Sequence, residues 1–235
     1  MRHVLGVFWA AVKDLWEELF MLALMNLVTM LLLVPVVTFP PALAGLWNVA
    51  NIAVQGKSIA WSDYWEAFKR YFGKAWKLAG LNIAVLATLF VNLRFYTPGV
   101  APFNISDNLS FVIRAIWFSL TVLWVMLQMY TLAMLLEQTD QRVRLALRNS
   151  AVLLFANPGF SFILFLLLLV VSAISTVIPA LWALISLALL AVVCNKAVRH
   201  LLVPYRERLA QEQAAQAEEA STQNEDAEDA ESEDE

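Results

Sequence analysis

From residue 159 to residue 194 the chain carries no charged side chain. A helix that crosses a membrane needs about 20 apolar residues, so this run is too long for one crossing. Ile178–Pro179 divides it, because the residue before a proline is pushed out of the α region. A tight, uncharged turn there predicts an antiparallel hairpin with spans at about 159–177 and 180–197. Three further apolar runs, at about 19–37, 78–96 and 111–136, have comparable length. The composition agrees. Hydrophobic residues make up 60% and charged residues 15%, with a mean hydropathy of +0.65, against about 45–50% and about 25% in soluble domains. The expected class is all-α: a polytopic helical membrane bundle.

The first of these runs ends in VPVVTFPP, residues 34–41. Proline has no N–H and clashes with the preceding turn, so Pro35 should kink or end that helix. Pro40 and Pro41 suit the first turn of the next one, and Thr38 can cap freed backbone groups. The stretch reads as a sharp corner, with a hinge at Pro35, Thr38, Pro40 and Pro41 as the functional alternative. The following segment, 41–55, carries Asn48, Asn51 and Gln55 at helical spacing as one polar stripe. It covers only about 22 Å, short of a hydrocarbon core of about 30 Å. It is either a short sixth span or an interfacial helix. Cytoplasmic loops collect Lys and Arg. Five spans put 12 of the 16 basic residues inside; six spans put 14 inside, leaving only Arg94 and Arg114 outside. Six therefore fits slightly better. Both counts place the C-terminus in the cytoplasm.

Two amphipathic helices are expected to flank the spans. Near the N-terminus, Leu5, Phe8, Trp9, Val12, Trp16 and Leu19 share one face suited to a membrane interface. In the juxtamembrane segment 61–77, Trp61, Trp65, Phe68, Phe72 and Trp76 recur every third or fourth residue. That face is an interfacial anchor or a docking face for a partner. Lys69, Arg70, Lys74 and Lys77, with Arg142, Arg144 and Arg148 in a later loop, are placed to meet lipid head groups. The membrane domain is expected over 1–204 and an acidic tail over 205–235. Residues 1–208 hold all 16 bases and nine acids, net +7, and 209–235 hold eleven acids and no base, net −11. The tail should be helical to about Ala220 and disordered beyond, where charge is high and apolar periodicity is lost. The loop 97–110 is polar, and its Asn104-Ile-Ser and Asn108-Leu-Ser triplets match glycosylation acceptors only by composition.

Reactive chemistry is sparse. No Asp, Glu, Lys or His lies in the middle of a span, although ion-coupled pumps place such residues there. HExxH, CxxC, Gly-rich phosphate loops and GxSxG are all missing. The single cysteine, Cys194, lies in an apolar run and reads as a small buried hydrophobe. The mid-span polar residues Asn26, Thr29, Asn82, Thr88, Gln128, Ser172 and Thr176 read as interhelical hydrogen-bonding groups. No catalytic residue, metal site or cofactor is expected. Because the bases are juxtamembrane, membrane lipids are expected partners and nucleic acid is not.

The stretch NLVTMLLLVPVVTFPPALAGL, residues 26–46, resembles the signature of the YesL-like family of bacterial membrane proteins, which is built around a domain of unknown function. The resemblance rests on Asn26, Pro35, Thr38, Pro41, Ala42 and Ala44, and extends to Trp65, Phe68, Lys69, Phe72, Arg148-Asn149-Ser150 and Asn157-Pro158. Pro40 stands where the family usually has Gly, which stiffens the corner. The resemblance implies a bacterial cytoplasmic membrane and an association with carbohydrate uptake. The functional expectation is a non-enzymatic membrane protein assisting a partner such as a transporter. The rival expectation is a small stand-alone solute transporter or channel that uses the broken first helix and its polar stripe.

Overall fold

A computed structural model describes residues 2–100 and 106–233, except the side chains of residues 2, 209–210, 214–215 and 217–233. All regular elements among them are helices: α1 (Arg2–Glu17), α2 (Leu19–Leu31), α3 (Phe39–Val54), α4 (Trp61–Phe95), α5 (Asp107–Glu137), α6 (Val143–Ala156), α7 (Pro158–Val177), a π-helical turn (Trp182–Ser186) and α8 (Leu187–Glu233). Four helical stretches are long and apolar enough to cross a membrane: Trp61–Phe95, Asp107–Glu137, Pro158–Val177 and Trp182–Gln213. α2 is apolar but has only 13 residues. Length and hydropathy thus make this a membrane protein. The chain divides into two compact units, Met1–Val198 and Arg199–Glu235, a few residues before the expected boundary at 204.

α2 stops at Leu31 instead of running to residue 37. The reason is local. The ring of Pro35 would meet the carbonyl of the residue four positions earlier, which is Leu31. In α1 the buried side chains are Val4, Val7, Ala11 and Leu15, whereas Trp9 and Trp16 are each 73% exposed. The helix therefore has a second apolar face, made of smaller residues, that seats it in the bundle. Of the expected aromatic face, Leu5, Trp9 and Trp16 point outward, while Phe8, Val12 and Leu19 are half-buried. The anchor segment 61–77 and the span after it form one continuous 35-residue helix, α4. Its start is set by Asp63, whose carboxylate accepts from the Ala60 N–H at 2.8 Å.

α6 is a helix where the sequence predicts a loop. Its buried residues Ala146, Ser150, Leu153 and Leu154 have the spacing of one helical face, and it packs on α5. The assigned α8 continues to Glu233, past Ala220, where disorder is expected. Residues 211–220 consist entirely of Ala, Gln and Glu, which favour helix without a partner. Of the two glycosylation triplets, Asn104 lies outside the described residues, and Asn108 sits in the first turn of α5.

α3 is the central helix. Pro41, Ala42, Ala44, Leu46, Val49, Ala50 and Ala53 are all buried, and its main neighbour is the N-terminal half of α4. The two run antiparallel and close. A Cβ on Gly45 would lie 3.0 Å from the Tyr64 carbonyl oxygen and 3.1 Å from its ring. The Tyr64 hydroxyl reaches beyond α3 and shares a 2.9 Å hydrogen bond with Thr29 of α2.

α1 and α2 together run antiparallel to the start of α8. Lys196 Nζ donates to Asp14 at 2.6 Å near one end of this contact. Near the other, buried Asn26 closes the π-helical turn. Its Nδ2 donates to the carbonyls of Trp182 at 2.8 Å and Ala183 at 2.7 Å, and its Oδ1 accepts from the Ala188 N–H at 2.8 Å. A π turn interrupts the regular backbone ladder. One amide side chain here pairs three backbone groups where hydrocarbon offers no water. Ser186 of the same turn also bonds Ser175 of α7 at 2.7 Å.

Replacing Asn26 by the similarly sized Leu should therefore orphan all three backbone groups. At about 1–3 kcal/mol each, the expected loss is at least about 3 kcal/mol. It would be read in detergent as earlier thermal exposure of the buried Cys194 thiol and faster hydrogen exchange at 182–188. Unchanged exchange in that segment would show that the turn holds itself. Gly45→Ala should also destabilise, because a backbone carbonyl cannot move aside for the new methyl group; a wild-type melting temperature would contradict that close approach.

Candidate functional site

The corner between α2 and α3 concentrates most of the residues singled out by sequence. Its backbone is almost fully paired. The Leu31 carbonyl accepts from Val34 N–H, Leu33 from Val36 N–H, Val36 from Phe39 N–H and Thr38 from Ala42 N–H. The Thr38 hydroxyl donates to the Leu32 carbonyl at 2.6 Å, so it caps the end of α2 and not the start of α3. α3 needs less capping there, because Pro40 and Pro41 have no N–H to satisfy. The Val37 carbonyl accepts from the Trp76 indole at 2.9 Å, which ties the corner to α4. Pro35 and Val37 close a tight turn around Val36, whose φ is +49°. For a β-branched residue that conformation is strained.

The polar stripe of α3 is used internally. Asn48 donates to the Asp63 carbonyl at 3.3 Å, and Asn51 donates to the Glu137 carboxylate at 3.1 Å. Gln55 donates to Asn51. These contacts hold α3 against α4 and the end of α5.

α4 presents three faces. Tyr64, Ala67, Tyr71, Ala75 and Leu78 are buried. A second face carries the aromatic ladder, with rings in successive edge-on contact: Trp61 to Trp65 at 6.0 Å, Trp65 to Phe68 at 5.5 Å and Phe68 to Phe72 at 6.0 Å. Trp61 is 43% and Phe72 38% exposed, whereas Trp65 and Phe68 between them are half-buried, so the ladder is exposed at its two ends. Trp76 continues it into the corner. The third face is charged. There Arg70 and Lys74 lie over the Tyr71 ring at 5.6 and 5.3 Å. Lys74 also donates to Gln141 at 3.3 Å, and Gln141 donates to the Tyr71 hydroxyl at 2.6 Å. Of the bases expected at lipid head groups, Lys69, Arg70, Lys77, Arg142, Arg144 and Arg148 are exposed. Arg142 pairs with Asp140 at 3.1 Å.

Where the ladder meets the corner, a half-open cavity of 330 Å³ lies between α3, α4 and α5. Val36, Pro40, Leu43, Ala79 and Ile83 form much of its wall, and Asn82 is a polar residue on it. Asn82 is already engaged with α5. It accepts from the Trp124 indole at 2.9 Å and donates to Gln128 at 3.3 Å.

Sequence reasoning anticipated interhelical bonds for Asn26, Thr29, Asn82 and Gln128, and all four make them. Thr88 and Thr176 instead bond carbonyls four residues earlier in their own helices. It missed Gly45, Tyr64 and Trp124, whose importance lies in partners far along the chain. Among the described residues, no three His, Cys, Asp or Glu side chains gather as a metal site would require.

Residues 19–93 match the model of a family described as proteins of unknown function, DUF624. The matched stretch holds α2, the corner, α3 and nearly all of α4. The chain matches no curated protein and no solved structure.

Val36→Gly should relieve the strained turn and raise stability by up to about 1 kcal/mol, whereas Val36→Pro, which cannot adopt positive φ, should lower it. Thermal release of the Cys194 thiol in detergent measures both. Equal midpoints for Gly and Pro would mean that the turn is not strained. Thr38→Val and Trp76→Phe should each cost about 1–3 kcal/mol, by orphaning one corner carbonyl.

Proposed function

We propose that the protein is a non-enzymatic, multi-pass membrane protein whose aromatic ladder on α4 docks a partner membrane protein, in the setting of solute, and specifically carbohydrate, transport. The observation that carries this reading is the ladder itself. Trp61, Trp65, Phe68 and Phe72 are stacked edge to edge, with Trp61 and Phe72 exposed and Trp65 and Phe68 half-buried. Aromatic residues are enriched at protein interfaces, where a rigid ring buries much area at little entropic cost. The carbohydrate setting and the bacterial cytoplasmic membrane come from the resemblance of residues 26–46 to YesL-like proteins.

The stand-alone transporter is less well supported. It relied on Asn48, Asn51 and Gln55 facing a pathway, and those amides are occupied by Asp63, Glu137 and one another. For topology, the C-terminus is placed in the cytoplasm; α1 and α2 running opposite to the start of α8, between the Lys196–Asp14 and Asn26–Ala188 contacts, supports six spans, whereas the Trp76–Val37 bond sets the corner beside Lys77 at the start of the α4 span and supports five with the corner inside.

Substituting Trp65, Phe68 and Phe72 together by Ser should abolish co-purification of a stoichiometric partner from native membranes while the protein still accumulates. Intact partner binding would remove the docking role. For topology, the natural cysteine is replaced (Cys194→Ser) and a new one introduced at Val34, which is 79% exposed. Labelling of intact cells by an impermeant thiol reagent assigns six spans with the corner outside; protection assigns five with the corner inside.

A further inference from the structure

The cavity beside the corner is a built concavity that the docking role leaves unused. We propose that it seats one acyl chain of an anionic phospholipid. Its walls are apolar, and the polar groups at its edge are already committed: the Trp76 indole to Val37, and the Asn82 amide to Gln128 and Trp124. A water placed there would lack the two to four partners it requires. Its 330 Å³ lies at the low end of the roughly 300–1,000 Å³ typical of small-molecule sites, which suits a chain better than a bulky head group.

The position sets the polarity of the occupant. Beyond the cavity, Ile83, Leu86 and Phe90 continue along the same face of α4 as exposed apolar side chains, in a helix long and apolar enough to cross a membrane. On the other side, Trp76 borders a segment with exposed Lys69 and Lys77. Aromatic residues followed by bases mark the head-group level of a bilayer. An amphiphile with its chain along Ala79 and Ile83 and a negative head near those lysines matches both ends. Ala75 and Ala79 hollow the helix surface between the larger Trp76 and Ile83, and the Val36 turn closes the groove from the α2–α3 corner. The proposal does not depend on partner docking, because Trp65, Phe68 and Phe72 do not line the cavity.

The test reconstitutes the full chain in nanodiscs of phosphatidylglycerol or of phosphatidylcholine, each doped with the same lipid bearing a photoreactive group in its acyl chain. Adducts are then mapped by peptide mass spectrometry. Labelling should concentrate on the segments around Leu43 and Ala79–Ile83 and be stronger for phosphatidylglycerol. Ala79→Phe, which fills the groove, should reduce it about tenfold, as expected when several methylene contacts are lost. Ala87→Phe, on the exposed surface, should not. The wild-type map decides even if the filled variant fails to fold: uniform labelling along α4 overturns the site. Equal labelling by both lipids overturns the anionic assignment. Labelling absent from the groove, with a photoreactive residue at position 83 crosslinking two copies of the chain, would assign the cavity to a protein helix instead.

Discussion

The amide of Asn26 connects parts of the chain that nothing local would bring together. Its three bonds run to backbone groups at 182, 183 and 188. A soluble protein could leave those groups to water. In hydrocarbon they must be paired within the protein, so the π-helical turn and the buried asparagine require each other. Leu22, Met25 and Thr29 share Asn26's buried face of α2. Thr29 passes the contact on to Tyr64 of α4, and Tyr64 rests against Gly45 of α3. One face of a short helix therefore joins the end of the membrane domain to its centre.

The same logic governs the corner. A chain that breaks a helix with proline frees carbonyls, and each needs a donor. Here the donors are the next N–H groups along the turn, the Thr38 hydroxyl and an indole from another helix. The polar stripe of α3 and the Asn82–Gln128–Trp124 group follow the same pattern. Several polar side chains of the apolar helices join one helix to another, as Asn26, Asn82 and Tyr130 do, while others, such as Thr88 and Thr176, bond carbonyls of their own helix.

Much of the architecture was legible because membrane helices declare themselves through long uncharged runs. The α7–α8 hairpin follows from Pro179, and the α4 aromatic ladder follows from spacing alone. Other features were hidden. In α1, hydropathy points to the large side chains Trp9 and Trp16, yet close helix packing selects the smaller face of Val4, Val7 and Ala11. α6 was masked by its arginines and its place between two strong spans, although Ala146, Ser150 and Leu153 have helical spacing.

By itself, the sequence determined that the chain is an all-helical membrane protein, and where its helices must break, at Pro35, at Pro40–Pro41 and near Pro179. Proline chemistry and hydropathy act over a few residues, so a linear reading contains them. Only the tertiary structure decided what the polar residues do. The spacing of Asn48, Asn51 and Gln55 fits a pathway and an internal clasp equally well, and the positions of Asp63 and Glu137 made it a clasp. Asn26 looked like one polar residue among several, and only packing brought it to a backbone segment more than 150 residues away. A hydrogen bond depends on distances of about 3 Å, and periodicity along one helix carries no information about which distant atom will lie that close.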